Sequence, residues 1–120
     1  MKVHRLSEGD LAEYKTSDGA GKLAVCIKTP NITAGFTRFE KGTATATLRN
    51  WPYWYDEVVY ITCGKGKITH SDPPFTSSES HEVQAGDLLY IAKGSKMTFE
   101  ALSNEPFDLL YITHPDPGFE

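Results

Sequence analysis

Between residues 51 and 57 the chain reads Trp51-Pro52-Tyr53-Trp54-Tyr55-Asp56-Glu57, with side chains of usable chemistry at every second position. Alternate side chains of an extended strand point to opposite faces, so Trp51, Tyr53, Tyr55 and Glu57 share one face unless Pro52 introduces a bulge. A carboxylate set among aromatic rings is partly desolvated. Desolvation disfavours the charged form, raises the pKa and tunes the group for general acid or base work near neutral pH. A phenol from Tyr53 or Tyr55 beside it would donate to a developing oxyanion. The indole of Trp51 would stack on a ring or hold an amine by a cation–π contact. Such a set suits isomerisation, dehydration or proton abstraction beside a carbonyl, and equally the simple binding of a small polar ring or amine. A plainer reading stands beside it: Glu57 as a buried acid hydrogen-bonded to a Tyr or Arg, and the aromatic residues as core filling.

The other candidates are scattered. His70 and His81 flank a segment rich in Ser and Pro, 72–80, and a hairpin would bring them near each other. With Asp72 or Glu79 they would then offer donors of the kind zinc takes; the alternative is a solvated hairpin. His4 and His114 receive no role. Arg38 and Arg49 either reach in to hold a substrate carboxylate or pair with Glu57, or lie in solvent. Cys26 and Cys63 sit far apart in apolar, strand-like contexts and are read as free thiols. Cys63 has no histidine close in sequence to activate it.

These groups need short strands to position them. Ser7 to Lys15 reads as one short helix, with Ser7 as its cap and Glu8 and Asp10 near the positive end of the dipole. Everything after it reads as strand: Leu23–Lys28, Ile32–Glu40, Thr43–Leu48 with Thr at every second position, Asp56–Cys63, Lys67–His70, Glu82–Val83, Asp87–Ala92, Met97–Leu102 and Phe107–Thr113. Turn signals separate them, among them Gly64, Gly66, Asp72-Pro73-Pro74, Gly86-Asp87, Gly94-Ser95 and Glu105-Pro106. About nine short strands at this spacing argue for an all-β sandwich or barrel and against an α/β sheet. Met97, Phe99 and Ala101 alternate onto one face of their strand, and Tyr111 on the last strand approaches the same space.

Two segments carry a family resemblance. Tyr55-Asp56-Glu57-Val58-Val59-Tyr60-Ile61-Thr62-Cys63-Gly64-Lys65-Gly66 resembles the end of the first cupin motif, a strand bearing a glutamate followed by a glycine turn. Gly86-Asp87-Leu88-Leu89-Tyr90-Ile91-Ala92-Lys93-Gly94-Ser95-Lys96-Met97-Thr98-Phe99 resembles the second, a Gly-Asp turn opening a strand that ends in a further glycine turn. The likeness runs over roughly 32–113, with motif 1 at about 43–66 and motif 2 at about 86–101. It implies one RmlC-like jelly-roll barrel, a double-stranded β-helix spanning 1–120, with the short N-terminal helix added. In metal-binding cupins the first motif begins His-x-His and the second carries another histidine. Those positions fall here on Trp51, Tyr53 and Met97, and only Glu57 of the four ligands survives. Indole offers no usable lone pair, phenol is a poor ligand unless ionised, and a thioether is too soft for hard divalent metals. The wording is similar to that of the ethanolamine-utilisation Q proteins, whose cupin domain also lacks the histidine set. The acetate-kinase-type activity attributed to that branch is not carried over, since no G-x-x-x-x-G-K-[ST] loop occurs in this chain.

Composition narrows the partners. The chain has 120 residues, 39% hydrophobic and 23% charged, which fits one ordinary globular domain. A net charge of -4 without any basic cluster argues against nucleic acid and anionic membranes. No secretory signal follows Met1, and the longest apolar runs are too short to span a bilayer, so a cytoplasmic location is expected. The expectation is therefore a metal-independent cupin, without cofactor, that binds a small polar metabolite in an aromatic pocket. Glu57, Tyr53 and Tyr55 are its candidate catalytic groups, and Trp51, Met97, Phe99, Tyr111, Arg38 and Arg49 its candidate ligand contacts. A non-catalytic binding or accessory protein and a metalloprotein with unusual ligands, such as Glu57 with His70 or His81, are the alternatives. The resemblance adds a homodimer.

Overall fold

The computed structural model describes residues 1–5, 12–13, 21–40 and 56–114. Nine strands lie within them: β1 Ala12–Glu13, β2 Gly21–Lys28, β3 Thr33–Phe39, β4 Glu57–Cys63, β5 Lys65–Ser71, β6 Glu79–Gln84, β7 Leu88–Ile91, β8 Lys96–Ala101 and β9 Phe107–Thr113. One sheet has the order β1-β2-β3-β9-β4-β7 and the other β6-β5-β8. The paired strands are antiparallel throughout.

The alternation of side chains explains why the sheets face each other. On β4, Glu57, Val59 and Ile61 are buried while Val58, Tyr60 and Thr62 are exposed. On β8, Met97, Phe99 and Ala101 are buried. Each strand thus has an apolar side that water disfavours, and stacking the two sheets covers both sides at once. Phe39 of the larger sheet stacks on Phe99 of the smaller, ring centroids 5.5 Å apart and planes within 14°, and Phe107 tilts against Phe39 at 6.2 Å. Phe107 is fully buried, which stabilises the fold by about 1.5–3 kcal/mol. Gly66 makes room for it, because a Cβ there would fall among the ring carbons of Phe107. The turn from β4 to β5 is a single residue, Gly64, at φ 79°, a conformation that costs glycine little.

The short helix expected over Ser7–Lys15 is corrected in part. Ala12 and Glu13 form β1, paired with Leu23 and Lys22 at the edge of the larger sheet. A single helical turn carries a costly nucleus, whereas a sheet edge offers a ready ladder of backbone partners. The rest of that segment and the expected strand Thr43–Leu48 lie outside the described residues.

Candidate functional site

One row of inward side chains crosses the larger sheet at the end where β4 begins. Thr33 on β3 pairs with Thr113 on β9, Thr113 pairs with Glu57 on β4, and Glu57 pairs with Ile91 on β7. Partners in an antiparallel ladder project to the same side with Cβ atoms about 4.5–5.5 Å apart. All four are buried, Glu57 at 4% exposure, Thr33 at 0% and Thr113 at 2%. Val59 and Ile61 follow Glu57 into the core, so the carboxylate heads the inner face of its strand. The Oγ1 atoms of Thr33 and Thr113 find no hydrogen-bond partner among the described residues. Buried hydroxyls are nearly always satisfied, so two in one row beside a carboxylate call for polar partners beyond the described residues.

Glu57 faces inward, as the two-residue alternation predicts. Tyr111 is buried in the next row, between Gly35 and Val59. A Cβ on Gly35 would come within 2.7 Å of the Tyr111 Oη, so that glycine admits the phenol. Met97 is buried on the facing sheet. Phe99 lies in the core, stacked on Phe39. Arg38 lies on the other face of β3. It pairs with Asp108 across β3 and β9 on the side opposite Thr37 and Phe39, and the Asp108 carboxylate accepts from its Nε at 2.7 Å and its Nη2 at 3.0 Å. Its even position puts it away from the Glu57 row. Trp51, Tyr53, Tyr55 and Arg49 lie outside the described residues. Thr33 and Thr113 had no signal in the sequence, since only the ladder register joins residues so far apart.

Beside this row opens a crevice of about 390 Å³ between β7 and the smaller sheet. Ile68, Ile91 and Met97 form apolar wall, and His70, His81 and Asp72 form polar rim. Ile91 belongs to both the row and the crevice, and Glu57 is its ladder neighbour on β4. The hairpin of β5 and β6 does bring the two histidines together: their rings stack at 5.4 Å and 8°. Glu79 reaches both, its Oε2 3.4 Å from His70 Nε2 and 3.8 Å from His81 Nε2.

The start of β4 is anchored from outside. Asp56 accepts hydrogen bonds from the Lys93 backbone N–H at 2.8 Å and from the Tyr90 hydroxyl at 2.9 Å. The Lys93 bond first, and the Tyr90 bond next, hold its carboxyl below the ordinary value of 3.8. The Cys63 thiol is held protonated. Burial, then the charge of Asp108 and a hydrogen bond to Glu105, push its thiol above the ordinary 9.0.

The positions that hold metal in metal-binding cupins do not fit one here. Glu57 supplies an oxygen, Met97 a buried thioether, and the other two are Trp51 and Tyr53.

A family model described as ethanolamine utilisation protein EutQ matches residues 2–117. No curated protein matches the sequence significantly. Among solved structures, an ethanolamine utilization protein Q from Salmonella typhimurium LT2 superposes with a TM-score of 0.65 at 20% identity, over 88% of this chain and 78% of that one. An RmlC-like cupin with a double-stranded β-helix from Methanocaldococcus jannaschii gives 0.69 at 14% identity, over 98% and 94%. KdgF from a Halomonas species gives 0.67 at 17% identity, over 89% and 88%. The two facing sheets are thus the all-β double-stranded β-helix.

Proposed function

The chain belongs to the ethanolamine-utilisation EutQ family of cupins, and from that premise we propose that its barrel binds a small polar metabolite at Glu57 without a metal, with Glu57 as general acid or base. The observation that carries this reading is the buried row of Thr33, Thr113 and Glu57, with two hydroxyls that have no partner among the described residues. A carboxylate and two free hydroxyls match a ligand with an amine or hydroxyl group. Trp51, Tyr53 and Tyr55, shortly before Glu57 in sequence, are of the residue type such an amine favours. The family's name makes ethanolamine the first probe, followed by other small amines and by polyols such as glycerol.

The acid/base role needs a substrate proton within hydrogen-bond reach of Glu57. The experiment is turnover and binding in Glu57→Gln, which keeps the shape and removes the acid. Loss of turnover with binding retained supports catalysis. Full activity in the variant removes Glu57 from the chemistry. The accessory reading, binding without chemistry, draws on one observation. Thr33, Thr113 and Ile91 give the row no second ionising group beside Glu57. It expects altered affinity in Glu57→Gln and no turnover in either protein.

A further inference from the structure

We propose that His70, Glu79 and His81 form a zinc-class divalent metal site on the inner face of the smaller sheet, separate from Glu57 and opening into the crevice beside β7. Register, spacing and surroundings each support it.

The register puts the three side chains on one face. Glu79 pairs with His70, and His70 with Met97; His81 pairs with Ile68, and Ile68 with Phe99. Met97, Ile68 and Phe99 are all core residues, so the whole set projects inward from a sheet whose edge strand is β6. Glu79 and His81, two apart on that edge, flank a common point that His70 faces from the next strand.

The spacing suits the metal. One donor atom from each residue lies within 4.8 Å of the other two. Tetrahedral zinc with bonds of about 2.0–2.1 Å needs its donors about 3.3 Å apart. The two histidine-to-Glu79 distances, 3.4 and 3.8 Å, are already close to that. The movement still needed is a tilt of the stacked imidazoles, because parallel rings cannot aim both lone pairs at one ion. His81 is the freer to turn, with its side chain 58% exposed against 26% for His70.

The surroundings supply an orienting group and an open position. His70 Nδ1 faces Asp72 Oδ2 at 3.7 Å, and Asp72 is itself held by the Ser95 hydroxyl at 2.6 Å. A carboxylate behind a ligating imidazole sets its tautomer and raises its basicity. Three protein ligands leave a fourth position free. Here it faces a crevice whose volume, about 390 Å³, falls in the range of small-ligand sites. Two nitrogens and one oxygen select a borderline ion such as Zn²⁺ over Mg²⁺ or Ca²⁺.

The test titrates the chelator-stripped protein with Zn²⁺ by calorimetry, and with Co²⁺ by visible absorption. The expected result is one saturable ion per chain, with cobalt d–d bands and no sulfur-to-cobalt band. His81→Ala and His70→Ala should each abolish saturation. Asp72→Ala should weaken binding about 10- to 100-fold. Glu57→Gln should bind Zn²⁺ as the parent does. Urea melts of the metal-free variants check that folding is intact; His81→Ala, the more exposed of the two histidine changes, carries the test if His70→Ala fails to fold. Saturable binding that survives in His81→Ala, a cobalt–sulfur band, or loss of binding in Glu57→Gln would each overturn the assignment.

Discussion

Leaving a hydroxyl buried without a partner costs about 1–3 kcal/mol, and the row beside Glu57 holds two, Thr33 and Thr113, that have none among the described residues. If they serve a ligand, they are a stability cost retained for function. Thr113→Val and Thr33→Val should therefore raise the urea stability of the ligand-free protein, by about 1 kcal/mol each, while weakening metabolite binding about tenfold. A loss of stability in both variants would mean that the hydroxyls are satisfied within the fold. Arg38 predicts the reverse pattern. Its guanidinium faces the Asp108 carboxylate, itself only 4% exposed. Arg38→Ala strands that charge and should cost about 3–5 kcal/mol in the same assay, with binding in the surviving folded fraction unchanged. At this scale the sequence was legible only as parity. Glu57 faces inward because it shares parity with Val59 and Ile61. The same rule would have placed Arg38 outward, once the register of β3 was known. The threonines were invisible, because their meaning lies in a pairing between β3 and β9, some 80 residues apart in sequence.

The element that presents Glu57 is β4, and its first turn of chain is tied to β7 through Asp56, Tyr90 and Lys93. Asp56 is held below 3.8 in the folded protein. Its contribution is therefore present above the unfolded value and is lost as pH falls through the lower folded value, in the acid range below about pH 4. The same bond raises Tyr90 above 10.0, so its share is present at neutral pH and is lost when alkali ionises the phenol. Asp56→Asn should flatten the acid limb of a stability-against-pH curve; an unchanged limb would mean that the anchor contributes nothing. Strands were the most legible elements. β4, β7, β8 and β9 begin and end within a residue or two of the alternating runs that predict them, because one buried face imposes a period of two. The helix over Ser7–Lys15 rested on a cap signal alone, and pairing of Ala12 and Glu13 with β2 outweighed it at those positions.

At the scale of the whole molecule, the outer face of the larger sheet bears on the expected homodimer. Val58 pairs with Ile112 and Tyr90, and Tyr60 with Leu88; all five are exposed, Leu88 at 69%. Apolar surface of this kind is what a dimer contact would cover. The dimer expected from the resemblance should use it, so light scattering should give the mass of two chains for the parent and of one for Tyr60→Arg/Leu88→Arg. An unaltered dimer in that variant would place the contact elsewhere. The two glycine motifs made the double-stranded β-helix legible from sequence, and the resemblance puts Trp51, Tyr53 and Met97 where metal-binding cupins carry histidines. The joining of His70, Glu79 and His81 on one inner face needed the β5–β6 register as well. The claim at the centre is that the Glu57 row, not a metal, holds the ligand. Its most direct test is a ¹H–¹⁵N titration of chelator-treated protein with ethanolamine and the amine and polyol panel. The predicted result is saturable shifts at Thr33, Glu57, Ile91 and Thr113 that vanish in Thr113→Val and persist when chelator is in excess. Shifts that require added metal, or that leave this row untouched for every member of the panel, would contradict it.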